Sequence, residues 1–151
     1  VIQLGAAVLC DAATIRENVL HVLGAGVSQM FRGNFPAPLG AEIALLLYID
    51  GEPNVEVQHR VTGECRLRNS DAESVFGFEY TLRTVIEPNL GAQSVSAIIP
   101  ATGFGVPEAG AYEITIAVDD ERVGAIPFTA ILDEGLPQQQ FHIVGKRSAS
   151  M

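Results

Sequence analysis

The sequence predicts an all-β fold, an antiparallel β-sandwich of about eight short strands. Three observations carry that reading. The stretch Gly110 to Ile131 has the pattern of a β-hairpin. Tyr112, Ile114, Ile116 and Val118 alternate with Glu113, Thr115 and Ala117, and after Asp119-Asp120-Glu121 the run Val123 to Ala130 returns. Ahead of it, Glu108-Ala109-Gly110-Ala111-Tyr112 has the spacing of a tyrosine corner, in which a Tyr opening a strand bonds back to upstream backbone. The 15 Gly and 8 Pro cut the apolar residues into short runs, with no βαβ pattern among them. The tyrosine corner makes the expected sandwich Ig-like in architecture. Trp is absent and Ile114 stands where the second Cys of a true immunoglobulin domain would be.

Taken from the start, Val1 to Cys10 reads as a buried strand. Asp11 to Gly26 reads two ways. Asp11 can cap a helix with Ile15, Val19 and Val22 or Leu23 on one face, ended by Gly24. Alternatively Ala13 to Asn18 is a loop, Val19 to Leu23 a strand, and Gly24-Ala25-Gly26 a kink into Val27 to Phe31. Over so short a window periodicity leaves both open.

A resemblance bears on this choice. Leu9-Cys10-Asp11-Ala12-Ala13, followed by Val19-Leu20-His21-Val22-Leu23-Gly24-Ala25-Gly26, resembles the opening of a family of small bacterial single-domain proteins of unknown function. In that family a strand ends in an Asp-Ala step, and a second strand closes on Gly-x-Gly before an aromatic position. Here Val27 departs from that last feature. Phe35-Pro36-Ala37-Pro38-Leu39 and Ile126-Pro127-Phe128 fit the same pattern, so the resemblance spans roughly residues 4 to 131. It implies the hairpin rather than the helix, and implies no activity.

Arg32 to Pro38 is a proline-bearing loop, and Ala41 to Ile49 a strand whose continuous apolar centre expects cover on both faces. Asp50 to Asn54 is a turn by composition. Val55, Val57, His59 and Val61 share one face of the next strand, which continues through Cys65 and Leu67. Val75 to Ile86 places Phe76, Phe78, Tyr80 and Leu82 on one face, Gln93 to Ile99 forms another strand, and Pro100 to Pro107 is a crossover. The chain divides into a sandwich domain, 1–132, and a linker with a short terminal strand, 133–151. Phe141-His142-Ile143-Val144 is apolar enough to add to an exposed sheet edge, its own or a neighbour's.

Charge narrows the function. Acidic residues outnumber basic ones 18 to 9, for a net charge of −9, which argues against a nucleic-acid groove and against docking on anionic lipid. No apolar run of membrane-spanning length occurs. The apolar start lacks a basic n-region, so no signal peptide is read, although a start at Val1 leaves room for a removed segment. Cys10 and Cys65 form no CxxC and fit buried thiols of a cytoplasmic protein, while export would permit a disulfide between them.

No catalytic constellation, cofactor motif or metal set stands out. Cys10 lies in an apolar run and GxSxG is absent, so nucleophilic catalysis has no carrier. Asp11, Glu17 and His21 are the one near-sequence cluster, without diagnostic spacing. Asp119-Asp120-Glu121 is a solvated turn before it is a calcium site. The expectation is therefore a non-enzymatic, self-assembling or protein-binding structural module, with Phe141, Ile143 and Val144 as apolar anchors of a homo-oligomeric contact. The alternative is a small-ligand carrier walled by Phe31, Phe35 and Phe104, and behind it a metal-dependent hydrolase at the Asp11 cluster.

Overall fold

The computed structural model describes residues 2–143 and 148–150. Every regular element among them is a strand, so the all-β expectation holds. In chain order these are β1 (Ile2–Cys10), β2 (Ala12–Arg16), β3 (Val19–Leu23), β4 (Gln29–Arg32), β5 (Ala37–Pro38), β6 (Glu42–Ile49) and β7 (Glu56–Leu67). There follow β8 (Phe76–Val85), β9 (Gln93–Ile99), β10 (Gly105–Val106), β11 (Gly110–Val118), β12 (Glu121–Leu132) and β13 (Ser148–Ser150).

Two sheets dominate. One is three-stranded, β1-β6-β9, and the other six-stranded, β13-β8-β7-β11-β12-β4. Their apolar faces share one core. Leu9, Ile43, Leu45, Leu47 and Ile99 come from the first sheet, and Val61, Cys65, Phe76, Ile114, Ile116 and Phe128 from the second. Ile114 and Ile116 are fully buried, and each contributes roughly 1.5–3 kcal/mol by leaving water. The buried residues of this core run in sequence from Leu9 to Ala130.

The β11–β12 hairpin follows its sequence pattern. Tyr112, Ile114, Ile116 and Val118 point inward, and Asp119 and Asp120 make a two-residue turn with φ of 50° and 67°. Positive φ at both central residues matches the turn to the right-handed twist of the strands. The Tyr112 hydroxyl donates to the Glu108 carbonyl at 2.8 Å, and its ring stacks on Phe128 at 5.2 Å. Burial pushes the Tyr112 phenol up to about 12. Cys10 and Cys65 are both free and buried, and burial raises both thiols.

Two sequence expectations need correction, and one open choice is decided. Residues 12–23 form the β2–β3 hairpin that the family resemblance implies, not the alternative helix, with Glu17 and Asn18 at positive φ in its turn and Ala12–Arg16 a strand in place of most of the expected loop. The large sheet is mixed, since β4 lies parallel to β12 and β13 parallel to β8. Parallel neighbours are joined by long crossovers, so the alternation within one strand carries no trace of them. The strands also exceed about eight, because β5 and β10 pair over two residues each and the small hairpin adds a sheet of its own.

That hairpin covers the outer face of the three-stranded sheet. Cys10 and Ala44 point away from the core yet are 0% and 1% exposed, and β2 packs against β6 and β9. The Ala13 amide donates to the Glu42 carboxylate at 3.1 Å. Cover on both faces explains the unbroken apolar centre of β6, up to Tyr48, which is exposed.

Candidate interaction site

Beyond β12 the chain runs back across the body as a strap. The Asp133 amide donates to the Arg32 carbonyl at 2.8 Å, extending the parallel ladder by one bond past Leu132. Asp133 then shapes a turn, its Oδ1 accepting from Gly135 N–H and its carbonyl from Leu136 N–H, each at 3.0 Å. At Gly33 the two stretches of backbone meet. A Cβ there would fall 2.5 Å from the Leu136 carbonyl oxygen and 2.6 Å from that of Pro137, so only glycine fits.

Farther along, Asn34 fastens the strap. Its Nδ2 donates to the Gln139 carbonyl at 2.6 Å, and its Oδ1 accepts from the Gln139 amide at 2.7 Å. A side-chain amide thus pairs with a peptide group as another strand would. Arg32 braces the loop beneath, donating to the Phe31, Pro38 and Leu39 carbonyls, while burial lowers its pKa. Between loop and strap lies a cleft of about 300 Å³, lined among others by Phe31, Pro36, Pro137 and Phe141.

The anchors expected from sequence are placed as follows. Phe141 and Ile143 are half-buried and lie outside any strand, so their docking is by side chain rather than by a ladder. Both sit against Gly105, where a Cβ would enter the Ile143 side chain and approach Phe141 at 3.2 Å. Val144 lies outside the described residues. The strand pairing comes later in the chain, with Ser148, Ala149 and Ser150 beside Gly77, Phe78 and Glu79 on the edge of β8.

The proposed ligand walls do not converge. Phe31 lines the cleft, but Phe104 is buried against Phe76 at 5.0 Å and Phe35 packs on the core. Asp11, Glu17 and His21 are all exposed along the β2–β3 hairpin. Among the described residues no group of three His, Cys, Asp or Glu is placed to hold a metal ion. At the β11–β12 turn, Asp119 accepts from His59 Nδ1 at 2.8 Å and from the Arg60 amide at 2.9 Å, and Asp120 pairs with Arg60. The Arg60 amide first, then His59, hold the Asp119 carboxylate below the usual range. Asn34, Gln139 and Gly33 are not visible from sequence, because a separation of 105 positions between Asn34 and Gln139 leaves no local pattern.

A family model described as a family of unknown function (DUF6941) matches residues 5–131. The chain belongs to this family. The match covers nearly the span of the sequence resemblance, and it ends where the strap begins. No curated protein matches the chain.

Proposed function

We propose that this member of the family is a non-enzymatic, Ig-like β-sandwich of the cytoplasm that binds protein, including itself, through its C-terminal strap. The observation carrying the proposal is the placement of Ser148–Ser150 as a parallel strand on β8. An edge that accepts this segment from its own chain accepts the same segment from a neighbour, with the same main-chain bonds. Exchange of an identical element is a low-cost route to oligomers when the connecting segment is free to swing. Residues 133–140 are exposed and held to the body mainly by the Asp133 and Gln139 hydrogen bonds, so freeing this segment to swing gives up only those few solvent-exposed contacts. Phe141 and Ile143 are the apolar anchors, filling the recess at Gly105 in either arrangement. Support for the sandwich comes from the single core shared by two sheets and from the Tyr112–Glu108 bond. Two free, buried thiols accord with a reducing compartment.

Light scattering on the full chain and on a version ending at Leu132 tests this reading. The core residues all precede Leu132, so the shorter version keeps its fold. The full chain is expected to form assemblies larger than the truncated one. Equal masses with equal melting temperatures would remove the strap from assembly.

A further inference from the structure

We propose that the cleft between the β4–β5 loop and the strap is a binding site for a small aryl carboxylate, a single flat ring carrying a short acid chain. Its volume of about 300 Å³ stands at the lower end of the range of small-molecule sites, roughly 300–1,000 Å³. That limits the occupant to a compact molecule.

The walls are mostly ring surfaces. Phe31, Pro36 and Pro38 come from β4, β5 and the loop between them, and Pro137 and Phe141 from the strap. Phe31 is 47% and Leu136 38% exposed, so apolar area stands open to an occupant. Aromatic rings pack offset or edge to face on one another, which makes these walls suited to a flat apolar body.

Arg32 decides the other end of the molecule. Among the described residues lining the cleft it is the one cation and none is acidic, in a chain of net charge −9. Arg60, Arg66, Arg68, Arg83 and Arg122 each pair with a carboxylate. Arg32 is half-buried, and among the described residues it bonds only to the Phe31, Pro38 and Leu39 carbonyls. Carbonyls satisfy its N–H groups without cancelling its charge, and a charge partly withdrawn from water favours an anion beside it. The guanidinium is also fixed in place. Gly40 packs on it so closely that a Cβ would fall 2.7 Å from Nη2. Its five N–H groups make four bonds, which leaves one on Nη1, and Asn34 Nδ2 spends one of its two N–H groups on Gln139. A carboxylate has two oxygens to offer such spare donors.

The two walls belong to distant stretches of chain, so an occupant touching both binds the docked strap alone. It therefore holds the strap down by its own binding free energy. This is so whether the strap lies on its own chain or on a neighbour, and the site stands apart from strap exchange.

Calorimetry of the full chain with phenylacetate tests the site. Saturable binding at one site per chain is expected, with phenylacetamide about tenfold weaker because the neutral amide forgoes the charge-assisted bond. Phe31→Ala alters an exposed side chain, so it should stay folded by circular dichroism and weaken binding about tenfold. The version ending at Leu132 lacks the strap wall and should not bind, and in the full chain phenylacetate should slow hydrogen exchange at the Gln139 amide. No saturable binding by about 10 mM, equal affinity for acid and amide, or undiminished binding by folded Phe31→Ala or by the truncated version would overturn the inference. Tighter binding of the peptide Gly-Gly-Phe than of phenylacetate would give the cleft to a chain terminus and overturn it as well. All these readouts are ligand affinities, so they are separate from the masses that test strap exchange.

Discussion

Asn34 and Gln139 exchange two hydrogen bonds across 105 positions of sequence, at 2.6 and 2.7 Å. The loop after β4 thereby holds the strap by a side chain that imitates a peptide group. Phe141 and Ile143 reach Gly105 only a few residues farther on, so the fastening sets their approach.

Asn34→Ala should loosen the strap without unfolding the domain. Both bonds are solvent-exposed, so their joint net contribution is about 1 kcal/mol. Hydrogen exchange at the Gln139 amide should speed up several-fold while amides of β11 keep their protection. Uniform loss of protection would mean that Asn34 supports the core instead.

Tyr112 gives a prediction at alkaline pH. Its folded pKa is raised from 10.0 to about 12, chiefly by burial, so the folded state holds the proton that the unfolded state releases. The resulting stability is complete below pH 10 and is lost as pH rises toward 12, by about 3 kcal/mol from this group. Cys65, raised by burial in the same direction, adds to the decline. Tyr112→Phe should cost about 1 kcal/mol at neutral pH through the lost bond to Glu108. It should also flatten the fall between pH 10 and 12, read from urea midpoints across that range.

What the sequence disclosed follows the range of its patterns. β9 occupies the residues expected of it, and the β11–β12 hairpin is legible because two long alternating arms meet at two acidic turn residues. His59, placed by alternation on the face of Val61, has 17% of its side chain exposed and turns to Asp119. The strap was legible only as an apolar segment seeking cover. Its route depends on Gly33, Asn34 and Gly105, and none of these carries a local signal for contact with residues 136–143. The parallel placements of β4 and β13 join segments far apart in the chain, which no window of alternating residues can report.

At acid pH the informative group is Asp119. Its folded pKa is lowered, first by the Arg60 amide and then by His59. Its stabilising contribution is present above the unfolded carboxylate pKa and is lost as pH falls through the lower folded value. With the side chain 54% exposed, screening keeps the contribution under about 1 kcal/mol. Asp119→Asn preserves a residue tolerant of the turn's φ of 50° and removes the titration. Its acid unfolding curve should be shallower than the parent's, with little change at pH 7. Parallel curves would place the acid sensitivity elsewhere.

The same substitution at two glycines should separate the core from the strap. Neither Gly63 nor Gly105 has positive φ, so alanine is conformationally allowed at both and only space decides. At Gly63 the new methyl would enter the ring of Phe78, its cross-strand partner, which is 3% exposed and hemmed in by the core. The ring cannot yield, and Gly63→Ala should cost about 1–3 kcal/mol of global stability. At Gly105 the methyl would meet Ile143 and Phe141, which are half-buried and belong to the strap. They can withdraw while the sheets stay intact. Gly105→Ala should therefore leave the urea midpoint nearly unchanged and raise exchange and protease cleavage across residues 136–143. A lowered midpoint for Gly105→Ala, matching that of Gly63→Ala, would make the strap part of the cooperative core and take away its freedom to exchange.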